Sequence, residues 1–265
     1  MLNSSVHSTG APAMRRSAPT DVTTLAGRVA LVTGGARRVG KAIALALAER
    51  GADVVVHFNG GEAEAHDTVA AVRALGVRAV ALQADLGDAD AAQALPHRAH
   101  DALGALDILV NSAAMMLRTP IGEVTVAQWD AMFHLNLRAP FLVAQAAAPL
   151  LRARQGVIVN IADLAAYETW PAYVPHAITK AGVVQMTRGL ARALAPDIRV
   201  NAVAPGAVLL PDEWDATAAE RLVATTPLAR LGSAGDVAQA VVYLCEASYV
   251  TGEVLIVDGG RHIRT

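Results

Sequence analysis

The sequence has little cysteine, few aromatic residues and little charge. One of its 265 residues is a cysteine, Cys245, while 4% are aromatic and 17% are charged, with a formal net charge of −2. A single cysteine excludes an intramolecular disulfide and a metal cluster made of cysteines alone. The small net charge argues against a protein that binds nucleic acid through a basic surface. Apolar runs such as Ala139–Leu151 are too short to span a bilayer, which favours a soluble, cytoplasmic protein.

Hydrophobic residues, by contrast, make up 54% of the chain, enough to form a substantial core. Because α/β folds reach roughly 250 residues as one unit, residues 25–265 are predicted to form a single domain. Residues 1–24 are rich in Ser, Thr, Pro and Ala and show no periodicity. They are predicted to be a disordered tail, or an extension upstream of a true start at Met14, with a targeting role less favoured.

From Arg28 onward, short β-branched runs alternate with Ala-rich helical patterns. The predicted strands are Val29–Val32, Asp53–Phe58, Ala79–Gln83, Ile108–Val110, Gly156–Ile161, Arg199–Val203 and Glu253–Val257. The predicted helices are Val39–Arg50, Glu62–Leu75, Asp90–Leu103, Val126–Leu151, Tyr173–Leu194 and Ala234–Glu246. This alternation predicts an α/β fold: a single Rossmann-type, doubly wound parallel sheet of about seven strands with helices on both faces. The segment Leu209–Pro227 breaks the alternation and is interpreted as a candidate lid.

The first strand runs into a glycine-rich turn, residues 33–40, which is followed by a helix. Glycines allow the backbone to turn tightly and approach a pyrophosphate at the positive end of a helix. This context indicates a dinucleotide site. No carboxylate follows the second strand before Glu62, whereas Arg37 and Arg38 lie within the turn, where guanidinium groups could hold a 2′-phosphate. The sequence therefore favours NADPH over NADH, although either arginine alone could simply be a surface residue.

Further segments resemble the short-chain dehydrogenase/reductase family over residues 28–260. They are Asp85-Leu86 after the third strand, Asn111-Ser112-Ala113-Ala114, Asn136, Pro205-Gly206 and Val257-Asp258-Gly259-Gly260. The resemblance implies an adenine contact at the first segment, a catalytic asparagine at Asn136 and a nicotinamide contact at the fourth. The cofactor-binding residues expected from the turn and the resemblance are Gly34, Arg37, Arg38, Val39, Gly40, His57, Phe58, Asn59, Asp85, Leu86, Asn111, Ala113, Lys180, Pro205 and Gly206.

Within that family, three positions resemble the pteridine reductases and dihydromonapterin reductases. Arg38 replaces a glycine of the turn, Asp163 replaces the usual serine, and His57 precedes an aromatic residue at the end of the second strand. The resemblance implies reduction of a dihydropterin by NADPH. The competing hypothesis is a carbonyl reductase, such as one that acts on 3-oxoacyl thioesters.

The family's Tyr-x-x-x-Lys motif falls on His176 and Lys180, so a histidine replaces the tyrosine. The chain has only two lysines, Lys41 and Lys180, against twenty arginines, which indicates that a compact ammonium is needed at the second of them. Tyr173 lies three residues before His176, and Lys180 lies four residues after it. The side chains of Tyr173, His176 and Lys180 therefore project from one face of the predicted helix.

An imidazolium at His176 could donate a proton during reduction of a C=O or C=N bond. The positive charge of Lys180 would disfavour the protonated ring of His176. The negative charge of Asp163, thirteen residues before His176, would favour the protonated ring. Tyr173 is a second candidate donor, and Asp163 could act through a water on a substrate nitrogen. The alternative is that His176 is a core histidine in a nucleotide-binding protein with weakened or no catalysis.

The substrate pocket is the least defined part of the predicted site. The residues expected to form it are Met116, Asp163, Trp170, Tyr173 and Trp214. Packing in the core is an equally good interpretation of the methionine and the more common one for each tryptophan. His97 and His100 share a helix face but have no third ligand, so no metal is expected. The family resemblance further implies a homodimer or homotetramer.

Overall fold

A computed structural model describes residues 25–208 and 216–263. It contains one seven-stranded parallel sheet, in the order β3-β2-β1-β4-β5-β6-β7. The strands are β1 (Val29–Thr33), β2 (Asp53–Phe58), β3 (Ala79–Gln83), β4 (Ile108–Asn111), β5 (Val157–Ile161), β6 (Arg199–Pro205) and β7 (Val254–Val257). The helices are α1 (Arg38–Glu49), α2 (Glu62–Arg73), α3 (Ala89–Leu103), α4 (Val126–Phe133), α5 (Ala139–Arg152), α6 (Val174–Leu194), α7 (Ala216–Ala224) and α8 (Ala234–Glu246).

The central strands are buried on both faces, which explains why they are continuous apolar runs. Residues of β1 alternate between two hydrophobic clusters: Ala30 and Val32 belong to the cluster under α1, α2 and α8, whereas Val29 and Leu31 belong to the cluster under α3 and α5. The predicted fold, a doubly wound parallel sheet covered on both sides, is confirmed.

The chain order reverses where β1 pairs with both β2 and β4. In an open parallel sheet, such a reversal leaves a crevice outside the carboxyl ends of the strands. The glycine-rich turn after β1 and the segment after β4 therefore border one crevice.

The helical stretch predicted as one helix over Val126–Leu151 is divided by a π-helical turn, His134–Arg138. The amide of Ala139 donates to the carbonyl of His134, five residues earlier. Asn136 lies within this turn and is buried. The prediction of a uniform α-helix was wrong here, since a single-turn π-bulge does not change the hydrophobic pattern enough to be seen in sequence.

The candidate lid segment, Leu209–Pro227, is described only in part. Its later half forms α7, while Trp214 and its neighbours at 209–215 lie outside the described residues, as do the predicted tail and residues 264–265. Among the helices that the structure describes, none has the length and apolar character required to cross a membrane.

Candidate active site

A cavity of about 840 Å³ opens at the carboxyl ends of β1, β2, β3 and β4. Eleven of the predicted cofactor residues line it: Gly34, Arg37, Arg38, Val39, Gly40, His57, Phe58, Asn59, Asp85, Leu86 and Ala113. The other four, Asn111, Lys180, Pro205 and Gly206, are not among its lining residues. Lining residues that sequence reasoning missed include Gly61, Gly87, Met115, His134 and Leu135.

The glycine-rich turn has no room for side chains at two of its positions. Gly34 has a φ of +64°, and a Cβ there would lie 3.0 Å from the Cα of Ala113. A Cβ on Gly40 would overlap the carbonyl oxygen of Gly34. Both glycines line the cavity at the start of α1, whose first turn carries no acidic residue. Such a cradle fits the pyrophosphate of a dinucleotide.

His57 supports this turn from beneath. Its Nδ1 accepts a hydrogen bond from the amide of Gly34 at 3.1 Å, and its Nε2 lies 3.0 Å from the carbonyl oxygen of Ala84. Because the Gly34 amide only donates and the Ala84 carbonyl only accepts, the ring is neutral with its proton on Nε2. The side chain is 2% exposed, and this burial is the main cause that lowers the pKa of His57 to about 4.

This pKa predicts an acid-sensitive fold. Since the pKa of His57 falls from 6.5 to about 4 on folding, the unfolded chain binds the proton more readily between these values. The free energy of unfolding should therefore drop by up to about 3 kcal/mol as the pH is lowered across that range. Urea unfolding from pH 7 to pH 4 checks this, with His57→Asn expected to lose this part of the pH dependence. His66→Asn, at an exposed histidine of α2, is the matched control and should retain it.

Arg37 and Arg38 are exposed at the cavity wall. Arg38 has a φ of +52°, a left-handed conformation that disfavours a residue with a Cβ. Strain of this kind concentrates at functional positions. Glycine would adopt this backbone conformation at a lower energetic cost than arginine does.

Asn111 and Gly206, which are not among the lining residues of the cavity, contact neighbouring strands of the sheet. Asn111 Nδ2 donates to Asn160 Oδ1 at 2.9 Å, which joins β4 to β5 inside the sheet. The amide of Gly206 donates to the carbonyl of Val257, and a Cβ on this glycine would lie 2.6 Å from the Cβ of Asp258. The turn after β6 is therefore packed tightly against the end of β7.

Four of the five predicted catalytic residues, Asp163, His176, Lys180 and Asn136, come together between β5 and α6, whereas the ring of the fifth, Tyr173, contacts Trp170. His176 Nε2 lies 3.5 Å from Asp163 Oδ2, and the histidine side chain is 3% exposed against 26% for the aspartate. Asp163 Oδ1 accepts from the amide of Ala165 at 2.8 Å, which fixes its carboxylate at the end of β5. The separation of thirteen residues thus places an acid and an imidazole face to face.

The backbone of Met115 determines which ring atom faces the acid. Its carbonyl oxygen lies 3.3 Å from His176 Nδ1 and also accepts from Asn136 Nδ2 at 2.8 Å. A carbonyl only accepts, so Nδ1 carries a proton and Nε2 faces Asp163. Nε2 is buried and has no hydrogen-bond partner among the described residues. Nε2 is therefore the ring atom placed to exchange a proton on the side of Asp163.

Asn136 is bound to backbone on both sides of its amide. Its Oδ1 accepts from the amide of Met115 at 2.9 Å, and its Nδ2 also lies 3.2 Å from Thr179 Oγ1. The π-helical turn therefore connects the segment after β4 to α6.

Lys180 is the buried cation of this cluster. Its Nζ donates to the carbonyl of Ile161 at 2.8 Å, and the residue is 4% exposed. Burial lowers the pKa of Lys180, and the negative charge of Asp163 partly opposes that effect. Lys180, His176 and Asp163 thus form one electrostatic unit.

The predicted substrate residues are less concentrated. Tyr173 is the residue before α6 and contacts Trp170 edge-on, with ring centroids 6.2 Å apart. Trp170 borders a groove with Ile178, on the other face of α6 from His176. Met116 is 42% exposed and is not among the lining residues of the large cavity, whereas its neighbour Met115 is.

The feature that sequence reasoning missed is the carbonyl of Met115, because every residue type carries a backbone carbonyl. The only signal was its place just after Asn111-Ser112-Ala113-Ala114, where a turn must follow the strand. Within residues 25–208 and 216–263, no group of three His, Cys, Asp or Glu side chains could hold a metal ion.

The sheet, the glycine cradle and the acid–imidazole–ammonium cluster together define a dinucleotide-binding oxidoreductase. A family model described as enoyl-(acyl carrier protein) reductase matches residues 34–262. The 3-oxoacyl-[acyl-carrier-protein] reductase of Staphylococcus aureus is 36% identical over 240 residues, covering 88% of this chain and 98% of that protein. The chain belongs to the short-chain dehydrogenase/reductase family.

Solved structures agree with this assignment. A putative short-chain alcohol dehydrogenase from Sinorhizobium meliloti 1021 superimposes with a TM-score of 0.87 at 38% identity, covering 91% of this chain and 98% of that one. A blue fluorescent protein from a metagenomic library, in complex with NADPH, gives a TM-score of 0.84 at 36% identity, covering 90% and 99%. The resemblance to the family is thus confirmed, while none of these relatives is a pteridine reductase.

Proposed function

We propose that the protein is an NADPH-dependent reductase of a carbonyl group, with a 3-oxoacyl thioester as the substrate class. The relatedness to 3-oxoacyl-[acyl-carrier-protein] reductases supports the substrate class. It favours the carbonyl reductase, the alternative of the sequence analysis, over the pteridine reductase. We infer the reductase activity from the arrangement of His176 Nε2, which lies 3.5 Å from Asp163 Oδ2 beside the buried Lys180.

His176 is the proposed proton donor of the reaction. NADPH, when bound, supplies the hydride for the carbonyl carbon. The carbonyl oxygen takes its proton from His176 Nε2, and the ring is left neutral, with Nδ1–H still donated to the carbonyl of Met115. Asp163 stabilises the protonated ring before transfer, and the ring then regains a proton from solvent by way of the Asp163 carboxylate, whose side chain is 26% exposed.

The test is NADPH oxidation followed at 340 nm with acetoacetyl-CoA and, separately, with a panel of 7,8-dihydropterins. Turnover with the thioester and none with the pterins supports the proposal. Turnover with pterins alone would establish the second candidate below. NADPH binding without turnover on either class would indicate a nucleotide-binding homologue that has lost catalysis.

Reduction of a dihydropterin is the second candidate, and Asp163 favours it. A carboxylate can only accept hydrogen bonds, so it suits a substrate that presents N–H groups better than one that presents a carbonyl oxygen. Its side chain is 26% exposed, which leaves an oxygen within reach of a bound ring.

The preference for NADPH is tested at Arg38. Because its φ is +52°, Arg38→Gly should be as stable as the parent or up to about 1 kcal/mol more stable. The same change removes a guanidinium from the proposed 2′-phosphate site, so the Kd for NADPH should rise about tenfold while that for NADH stays within twofold. Fluorescence titration with both dinucleotides measures the two affinities.

Gln155→Gly is the matched control for Arg38→Gly, since Gln155 has a φ of +50° and precedes β5 at the opposite end of the sheet. It should change stability in the same direction and leave both affinities unchanged. Equal losses of NADPH and NADH affinity in Arg38→Gly would contradict a 2′-phosphate contact.

We also propose a homodimeric or homotetrameric assembly. Large apolar side chains are exposed on the outer faces of α4, α5 and α6, where Trp129, Phe141 and Ile178 are 38%, 42% and 43% exposed. A partner subunit on these helices would remove that surface from water.

A further inference from the structure

An ion pair joins the C-terminal end of the fold to the loop between β5 and α6. Arg261 begins a short 3-10 turn after β7, and Glu168 lies midway along the loop, residues 162–173. Arg261 Nε is 3.5 Å from Glu168 Oε1, and the two side chains are only 12% and 16% exposed.

Stability alone does not explain this pair. Removing two charges from water carries a desolvation penalty, and replacement by apolar residues of similar volume is often neutral or stabilising. Arg261 Nη1 is buried and has no hydrogen-bond partner among the described residues, which adds to that cost. The ion pair is therefore better explained by the loop position that it fixes than by a contribution to the stability of the fold.

The contact continues from the carboxylate to Tyr173, the residue before α6. The other oxygen of Glu168 accepts from the indole Nε1 of Trp170 at 2.9 Å. The Trp170 ring meets Tyr173 edge-on at 78°, and the amide of Tyr173 donates to the Trp170 carbonyl at 2.9 Å. Tyr173 is three residues from His176. We call Arg261, Glu168 and Trp170 the tether.

The loop held by the tether carries site residues at both of its ends. Asp163 is fixed at the β5 end by the amide of Ala165, and the carbonyl of Ala172 is fixed at the α6 end by the amide of Thr119 at 2.7 Å. The tether supplies the anchor in the middle. Backbone hydrogen bonds from Tyr167 and Glu168 to the carbonyl of Leu164 also order this part of the loop, and the tether adds its contact with the turn after β7.

We propose that Arg261 is a positioning residue for substrate recognition: through Glu168 and Trp170 it fixes the loop, so that Asp163 and Tyr173 present one geometry to the substrate. This inference rests on the proposed carbonyl reductase activity. It predicts an effect on substrate affinity that is separate from cofactor binding, since the tether is not part of the large cavity at β1–β4.

The test compares Arg261→Met, Glu168→Gln and the double variant, with acetoacetyl-CoA as substrate. Glutamine keeps an acceptor for the Trp170 indole and removes only the charge. Each single change should raise KM about tenfold, with kcat within threefold and the Kd for NADPH within twofold. The double variant should be no worse than either single one, because both remove the same interaction.

Arg152→Met is the matched control. Arg152 on α5 forms an ion pair with Asp197 at the same 3.5 Å, but the side chains are 50% and 34% exposed. It should change none of the three constants by more than twofold. An unchanged KM in a folded Arg261→Met protein, or an equal rise in the control, would overturn the proposal.

A second measurement does not depend on turnover. In protein labelled with 5-fluorotryptophan, the ¹⁹F resonance of Trp170, assigned with Trp170→Phe, should shift in Arg261→Met and stay in place in Arg152→Met. A resonance that does not move would overturn the tether even if the wild-type enzyme were active. Absence of turnover in the wild-type enzyme would instead refute the proposed function, while a shifted resonance would still support the tether.

Discussion

Replacing Lys180 with methionine should reduce kcat/KM by about 10²–10³-fold, the loss typical of removing one preorganised charged donor from an active site. Its Nζ is held by the carbonyl of Ile161 inside the cluster with Asp163, so the change removes the ammonium from that cluster. The fold should tolerate the change. Burial lowers the pKa of Lys180, which means that the charged form is costly to bury, and methionine removes that cost. Tm should remain within about 3 °C of the parent.

The control is Lys41→Met, at the only other lysine of the chain, which lies on α1. Steady-state kinetics and a thermal melt should show parental activity and stability for this variant. A Lys180→Met protein that keeps its activity would refute the assignment of the ammonium to the reaction. If its Tm fell by more than about 10 °C, lysine would instead be a structural requirement of the core.

Replacing His176 with phenylalanine should lower kcat by 10²–10⁴-fold, the usual contribution of a positioned general acid. Phenylalanine fills the buried site but cannot donate to Met115 or hold a proton toward Asp163. The Kd for NADPH should stay within threefold, because His176 is not among the lining residues of the cofactor cavity. Single-turnover kinetics separates the chemical step from cofactor binding.

Tyrosine at this position distinguishes a specialised site from a damaged one. His176→Tyr should remain at least tenfold below the parent, since the phenol would donate its hydrogen bond to the Asp163 carboxylate rather than to the substrate, and a phenol is a weaker acid than an imidazolium. His176→Tyr combined with Asp163→Ser restores both residues usual in the family and should recover activity relative to His176→Tyr alone. A single His176→Tyr change that raises activity above the parent would show that histidine impairs the site.

The fold could be predicted because its pattern is distributed over many residues. Seven apolar runs and their intervening helices each agree with a parallel sheet, and the glycine-rich turn after β1 fixes the position of the cofactor crevice. The predicted meeting of His176 and Asp163 is likewise a consequence of topology, since β5 ends where α6 begins its buried face.

Three features could not be predicted because they depend on tertiary contacts of atoms or side chains with no local pattern. The Met115 carbonyl that orients the His176 ring belongs to the backbone. The pair of Arg261 and Glu168 spans 93 positions of sequence, and neither residue differs locally from a surface charge. The expected substrate residues do not form one pocket: Met116 is not among the lining residues of the large cavity, and Trp170 borders a groove on the other face of α6 from His176.

The π-helical turn His134–Arg138 has a consequence for how this protein could evolve. A π-turn is equivalent to one residue inserted into an α-helix. Each residue of a helix corresponds to a rotation of about 100° about the helix axis, so removing one would rotate the following helix by that angle. Loss of that residue would leave both α4 and α5 helical, yet it would turn Asn136 away from Met115 or α5 away from its hydrophobic cluster. The chain can therefore accept insertions and deletions at its loops far more easily than in this turn, where length itself is under functional constraint.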